Sequence, residues 1–116
     1  METVREILAR HGVESVDQMD VNERYSIEVP GFDTLTLEKI APERLSVAHH
    51  RVQRGDLMCD PEIVFRVEGN DWVPIEYTQH PRLYQHDESG LQLDGFVRKW
   101  NRNLREQGFV EAVASR

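Results

Sequence analysis

Three of the six carboxylates in the segment 54–77 have the spacing of a divalent-metal site. Asp60 precedes a predicted strand that contains Glu62, and Glu76 lies in the next predicted strand. Carboxylate oxygens bind Mg²⁺ and Mn²⁺, and this arrangement is typical of metal-dependent nucleases that combine an Asp with a Glu-x-Lys motif. Thr78, however, occupies the position of the catalytic lysine. One hypothesis is therefore a metal-dependent phosphodiesterase or nuclease-like domain, active or inactive, with Asp60, Glu62 and Glu76 as metal ligands.

The same acids also fit a simpler interpretation. Outward positions on antiparallel sheets are normally charged, so a solvated sheet face is the favoured interpretation of this row. Other candidate metal ligands are weaker: His49 and His50 are adjacent in a predicted strand and point to opposite faces. Cys59, His80 and His86 lack the spacing of a zinc site. We therefore assign no catalytic residue and no cofactor.

The last predicted helix carries a basic strip, with no acidic residue between positions 98 and 105. Its members lie on the helix face away from Trp100 and are Arg98, Lys99, Arg102 and Arg105. Such a strip can bind phosphates or an acidic partner. Cations near a helix C-terminus also stabilise the helix dipole, so a purely structural role is the favoured alternative.

Trp72 is predicted at the tip of a hairpin, on its polar face and beside Pro74. An exposed aromatic residue there favours a partner contact, because aromatic side chains anchor protein interfaces. A core position is the equally weighted alternative. The candidate partner-binding residues are Trp72, Glu62, Glu76, Arg98, Arg102 and Arg105.

The composition predicts one globular domain over residues 1–116, because 39% of the residues are apolar and 30% are charged. Lys and Arg number 14 against 21 Asp and Glu, and the net charge of −7 disfavours general nucleic-acid binding. The single cysteine, Cys59, has no internal disulfide partner, and no apolar run reaches membrane-spanning length. We therefore expect a cytoplasmic protein without a membrane partner.

Hydrophobic periodicity predicts helices at both ends of the chain and strands between them. A capping box of Thr3 and Glu6 begins a helix over residues 3–11, and Ser15 with Gln18 predicts a further turn. The remaining elements are strands at 25–29, 34–38, 45–53, 62–68 and 72–79, an irregular connection at 80–89, and a helix that begins near Leu93 and stops at Gly108. The apolar stripe of that helix is Leu93, Phe96, Val97, Trp100 and Leu104.

The register of the last predicted hairpin decides which side chains share a face. A three-residue loop, Gly69-Asn70-Asp71, is favoured over a two-residue loop because it gives one wholly apolar face. The pairs on that face are Val67 with Val73, Phe65 with Ile75 and Ile63 with Tyr77. Glu62 and Glu76 then lie on a diagonal of the opposite face, about 7–8 Å apart. Pro61 and Pro74 are predicted at a strand start, a bulge or an unpaired edge, because neither has an amide hydrogen.

Several motifs in the second half of the chain match a known pattern. They are Gly55-Asp56, Asp60-Pro61-Glu62 with Phe65, Trp72-x-Pro74 with Tyr77, Tyr84-Gln85, and Phe96 followed by Trp100-x-x-Asn103-Leu104-x-x-Gln107-Gly108-Phe109. Over residues 55–109 the chain thus resembles a family of small, functionally uncharacterised bacterial domains associated with plasmids and integrated mobile elements. The resemblance implies that setting, in some cases near antirestriction or DNA-processing modules, and it implies no reaction.

These patterns predict an α+β fold, in which an antiparallel sheet of about five strands has the N- and C-terminal helices packed on one face. The leading functional hypothesis is a non-enzymatic protein-interaction module with an unidentified protein partner, in a bacterial mobile-element context. A metal-dependent phosphodiesterase and a nucleic-acid-binding accessory protein are the two alternatives.

Overall fold

The computed structural model describes residues 1–79 and 83–114, and the side chains at 52, 53, 56–60 and 114 are outside the description. The helices are α1 (Glu2–Arg10), α2 (Asp94–Glu106) and α3 (Phe109–Ala114), with a 3₁₀ turn at Val16–Gln18. The strands are β1 (Arg24–Ile27), β2 (Thr34–Ala41), β3 (Arg44–Gln53), β4 (Asp56–Glu68), β5 (Asp71–Gln79) and β6 (Leu83–His86).

Among the described residues, six antiparallel strands form one sheet in which each strand pairs with its neighbours in the sequence. We call the sheet face that packs against the helices the helix face, and the opposite one the outer face. The α+β prediction is confirmed, but the predicted number of strands, five, is wrong. The additional strand, β6, lies in the segment predicted as irregular. All of its residues are exposed, so it lacks the apolar alternation by which a strand is recognised in a sequence.

The hydrophobic core lies between the helix face and the helices. Alternate side chains of the strands point into it, and each helix contributes one apolar face. Fully buried members include Ile7, Leu37, Ile63, Phe65, Leu104 and Phe109. Two members of the predicted apolar stripe of the last long helix, Trp100 and Leu104, are buried in α2, whereas Phe96 is 38% exposed.

Thr3 connects two helices and does not cap one, so the capping box predicted for Thr3 and Glu6 is wrong. The backbone N–H of Thr3 donates to Asn101 Oδ1 at 2.7 Å, and its hydroxyl donates to the Asn101 carbonyl at 2.9 Å. Because both bonds are formed with α2, they fix the position of α1 on that helix. The second predicted turn is confirmed: Ser15 precedes it, and the Ser15 hydroxyl accepts from the Asp17 N–H at 3.3 Å.

The β4–β5 hairpin changes register along its length. The loop at the tip has two residues, Gly69 and Asn70. Further along β5, Ile75 is an extra residue in a β-bulge. The opposed pairs are Val67 with Trp72 and Phe65 with Pro74 near the tip, and Ile63 with Tyr77 beyond the bulge. The predicted register is therefore wrong at the tip and correct beyond the bulge. Both prolines lie beside register shifts, as predicted. Pro61 lies in β4 at the shift in its pairing with β3, and Pro74 lies in β5 next to Ile75.

Trp72 lies on the helix face and not on the predicted polar face. A shift of one position exchanges the two faces of a strand, and the two-residue loop produces that shift near the tip. The Trp72 ring packs against Phe65, with ring centroids 5.5 Å apart, and remains half-buried at the edge of the core.

Lys39 is a buried cation on the helix face, only 8% exposed. Its Nζ donates to the carbonyls of Val16 at 3.1 Å and Met19 at 2.8 Å. The first carbonyl begins the 3₁₀ turn and the second directly follows it. Lys39 therefore stabilises the turn that carries Val16 and Met19 into the core.

Candidate interaction surface

Glu62 and Glu76 share the outer face, as predicted. Glu62 lies opposite Thr78 and Glu76 lies opposite Val64, so the two acids are diagonal neighbours on adjacent strands. Their side chains have hydrogen-bond partners in opposite directions. On the β3 side the Ser46 hydroxyl donates to Glu62 at 2.5 Å. On the β6 side the Tyr84 hydroxyl donates to Glu76 at 2.7 Å, which raises the pKa of Tyr84.

The metal hypothesis rested on Asp60, Glu62 and Glu76 acting together. The side chain of Asp60 lies outside the described residues, as do the Cys59 side chain and His80. Within the described part of the chain, no group of three or more His, Cys, Asp or Glu side chains is placed to hold a metal ion. The two acids that are described each accept a hydrogen bond from a hydroxyl group, so the described residues give this hypothesis no support.

The remaining charges of the outer face form a network around Glu88. Its carboxylate pairs with Arg44 at 2.8 Å and with His86 Nε2 at 2.9 Å, and Arg66 donates to its carbonyl oxygen. The hydrogen bond from His86, followed by that from Arg44, lowers the pKa of Glu88. Glu88 is thus paired within the fold, whereas Glu62 and Glu76 are hydrogen-bonded to neutral hydroxyl groups.

The segment 87–91 holds Glu88 against the sheet. The Asp87 N–H donates to the Ile75 carbonyl at 2.8 Å, and the Leu91 N–H donates to the Pro74 carbonyl at 2.7 Å. Between them Gly90 has a φ of +116°, and a Cβ there would lie 3.0 Å from Val73 Cγ1. Glycine is required at this position both by its backbone conformation and by the close approach to β5.

The basic strip of α2 separates into a paired cation and three unpaired ones. Arg105 forms an ion pair with Glu6 of α1 at 2.5 Å, which raises the pKa of the Arg105 guanidinium. Arg98, Lys99 and Arg102 are exposed, and within residues 1–79 and 83–114 they have no ion pair or side-chain hydrogen bond. We call these three residues the basic face of α2.

One groove, which we call the Trp72 groove, lies beside the basic face. It has a volume of about 320 Å³ and is lined by Met1, Phe65, Trp72, Pro74, Asp94, Val97 and Arg98. Trp72 also lines a smaller cavity of about 110 Å³ next to α1 and the 3₁₀ turn. The half-buried Trp72 therefore lines both concave surfaces, an environment that lies between the exposed hairpin tip and the core position, the two equally weighted predictions.

A second groove lies on the other side of α2. It has a volume of about 340 Å³, and we call it the Phe96 groove. Its lining residues are His49, Pro61, Phe96, Lys99, Trp100, Asn103 and Gln107. His49 packs on Trp100 with centroids 5.6 Å apart, while the next residue, His50, bonds to Thr36 at 3.2 Å on the outer face. The two histidines therefore lie on opposite faces of the sheet, as predicted.

Comparison with protein families gives a match over most of the chain. A family model described as a domain of unknown function, DUF6908, matches residues 2–110. The chain belongs to this family. Neither the curated proteins nor the solved structures include a match to this DUF6908 chain. None of its described helices combines the length and apolar character needed to span a bilayer.

Two lining residues of the Phe96 groove in this DUF6908 domain were missed in the sequence. Asn103 and Gln107 follow Lys99 at intervals of four, so all three polar side chains lie on one side of α2. The spacing of these three residues can be read from the sequence, but it predicts a binding surface only when a groove is known to lie beside the helix. Phe96 was assigned to the apolar core stripe, yet it is 38% exposed.

Proposed function

We propose that this DUF6908 chain is a non-enzymatic protein-interaction module that binds an acidic region of another protein through the basic face of α2. The observation that carries the proposal is that Arg98, Lys99 and Arg102 are exposed and have no ionic partner in the described part of the chain. Most of the charges on the outer face do have partners. Unpaired charges beside apolar grooves are the pattern of a surface that a partner completes.

A protein partner is favoured over nucleic acid by the charge of the whole molecule. The net charge of −7 repels a polyanion at long range, whereas an acidic segment of limited length meets mainly the local positive potential. Three cations would also give a nucleic-acid complex only a few phosphate contacts, each contributing a slope of about −0.9 in the salt dependence of binding. The Phe96 groove beside α2 has a direct use in protein recognition, because Phe96 and Trp100 line it and interfaces are anchored by aromatic side chains.

The setting of the proposed interaction is a bacterial mobile element, and its compartment is the cytoplasm. The first is supported by the resemblance of residues 55–109 to plasmid-associated domains, and the second by the lone Cys59. Gene neighbourhoods across the family test the setting. Repeated proximity to plasmid or integrated-element genes is expected, and a consistent position among chromosomal housekeeping genes would contradict it.

Site-specific photo-crosslinking in the native host tests the proposed surface. A photoreactive amino acid at position 102 lies on the basic face, and one at position 38 lies on β2 as the matched control. We expect one protein to crosslink from position 102 only and to be lost when Arg98 and Lys99 are both replaced by Glu. The purified partner should then bind the wild-type chain directly. Equal crosslinking from both positions, or recovery of nucleic acid alone from position 102, would overturn the proposal.

A further inference from the structure

The Phe96 groove has a regular arrangement of polar groups along one side. Lys99, Asn103 and Gln107 line it at intervals of four residues, which places successive side chains about 6 Å apart along the helix axis. Two residues of an extended peptide span about 6.6–6.8 Å. A strand lying along α2 would therefore present one peptide group of the same orientation to each of these side chains.

The two amides of this row are available for such contacts. Asn103 and Gln107 are half-buried, and their side-chain amides have no hydrogen bond to any described residue. Each amide has both donors and an acceptor, which is the complement of a peptide N–H and C=O. A partly desolvated amide gains more from a direct hydrogen bond than a fully solvated one, so a peptide backbone is a favourable ligand here.

The floor of the groove is aromatic. Phe96 meets Tyr77 edge to face with centroids 5.5 Å apart, and it contacts Trp100 at 6.0 Å. Although it is held in place by these rings, 38% of Phe96 is exposed. A rigid and partly exposed aromatic side chain is suited to contact one large apolar side chain of a ligand.

We propose that the Phe96 groove binds an extended, acidic peptide segment that carries an aromatic or large aliphatic side chain. The apolar side chain packs on Phe96, a neighbouring carboxylate pairs with Lys99, and the peptide backbone bonds to Asn103 and Gln107. This inference rests on the proposed function, and it names the form in which the acidic partner is recognised. Charge complementarity selects the occupant, because Lys99 and the adjacent Arg98 and Arg102 have no partner among the described residues.

Titration of the isotopically labelled full chain by NMR tests the groove with three acetylated, amidated peptides. They are Glu-Glu-Phe-Glu-Glu, the same peptide with Ala in place of Phe, and Lys-Lys-Phe-Lys-Lys; a short oligothymidylate serves as a polyanion of different chemistry. We expect only the first peptide to bind, with a dissociation constant of about a millimolar or tighter. It should shift the side-chain amides of Asn103 and Gln107 and the Trp100 indole N–H.

Two charge reversals on neighbouring positions separate groove binding from general attraction. Lys99→Glu removes the cation of the Phe96 groove, whereas Arg98→Glu makes the same change of charge beside the Trp72 groove. We expect Lys99→Glu to weaken binding of the first peptide about tenfold and Arg98→Glu to weaken that binding much less. Asn103→Ala should also weaken it without altering the fold, which the amide spectrum reports.

Each other outcome contradicts the groove inference in a recognisable way. If Lys99→Glu and Arg98→Glu reduced the affinity for the first peptide equally, and the Phe and Ala peptides bound equally well, the basic face would remain a binding surface. The Phe96 groove would then have no part in binding. Stronger binding of the oligothymidylate than of any peptide would assign the surface to nucleic acid. No binding by any peptide would overturn the groove inference, while the crosslinking result at position 102 would still decide the proposed function.

Discussion

Charged side chains cover two parts of this molecule, the outer face of the sheet and the exposed side of α2. On the outer face Glu62 and Glu76 accept hydrogen bonds from hydroxyl groups, and Glu88 is paired with Arg44 and His86. On α2 the basic face has no such partners in the described part of the chain. The acidic row was the more conspicuous feature of the sequence, but its charges are used within the fold. The comparison teaches that the availability of a charge, and not the density of charges, is the better guide to the proposed binding surface.

The largest effect should come from reversing the charges of the basic face. Replacement of Arg98, Lys99 and Arg102 together by Glu is expected to weaken partner binding by about a hundredfold or more. The free energy of unfolding should change by less than about 0.5 kcal/mol, because these side chains have no described partner to lose. Isothermal calorimetry with the crosslinked partner and urea denaturation measure the two quantities.

The matched control for that change is Arg105→Glu. Arg105 lies on the same helix, but it is already paired with Glu6. The substitution Arg105→Glu should therefore lower the melting temperature. It should also reduce partner binding, but far less than the triple variant does. Restoration of the melting temperature by adding Glu6→Arg would support the ion pair, and a binding loss equal to that of the triple variant would break the comparison.

Gly90→Ala should disturb the outer face and leave the basic face intact. The alanine Cβ would require a φ near +116° and would approach Val73 Cγ1 at 3.0 Å. We expect the free energy of unfolding to fall by about 1–3 kcal/mol, with unchanged partner binding at temperatures where the protein is folded. Gly95→Ala in α2 is the control: nothing lies near its Cβ, and it should stabilise the helix by about 0.5–1 kcal/mol.

The two hydroxyl–carboxylate bonds of the outer face should differ in their contribution to stability. Ser46 is buried, so Ser46→Ala removes a hydrogen bond to a charged group in a largely desolvated place and should cost about 1–2 kcal/mol. Tyr84 is 60% exposed, so Tyr84→Phe should leave stability essentially unchanged. Chemical denaturation measures both; a larger loss for Tyr84→Phe would show that the bond to Glu76 organises this face.

The smallest effect is the pH dependence contributed by Glu88. Its pKa is lowered from the ordinary value of 4.5 in the folded state, so the unfolded chain binds more protons as the pH falls. The stabilisation by Glu88 is therefore complete above pH 4.5 and is lost as the pH falls through the lowered folded pKa. Melting temperatures of wild type and Glu88→Gln should converge in that range. A difference that persists at the lowest pH would mean that the carboxylate charge is not responsible.

Most of the fold could be predicted from local patterns, and the errors have identifiable causes. Most of the apolar stripe of α2 and the existence of β1–β5 follow from periodicity, which depends on which side of each element faces the core. The predicted start of β4 at Glu62 is wrong, because the strand begins at Asp56. The predicted face of Trp72 was wrong because the two-residue loop shifts the register near the tip. The bulge at Ile75 cancels that shift, so the predicted pairing holds only beyond the bulge. β6 was missed because an exposed edge strand need not alternate.

The candidate surface was only partly predictable. The sequence located Arg98, Lys99 and Arg102 on one helix, since their spacing is a property of the helix itself. It could not separate them from Arg105, because the partner Glu6 is 99 positions away in the chain. Nor could it identify Asn103 as a groove residue, because the opposite wall is formed by His49 and Pro61 from other strands.

The sequence by itself determined the elements, the composition of the core and the net charge of this DUF6908 domain, because these depend on residue type and on spacing within one segment. Only the tertiary structure decided which charges are neutralised and which are available. Ion pairs such as Glu6–Arg105, and grooves such as that beside Phe96, join segments that are distant in the chain. Electrostatic and packing interactions act at distances of a few ångströms, and those distances exist only after the helices have packed on the sheet.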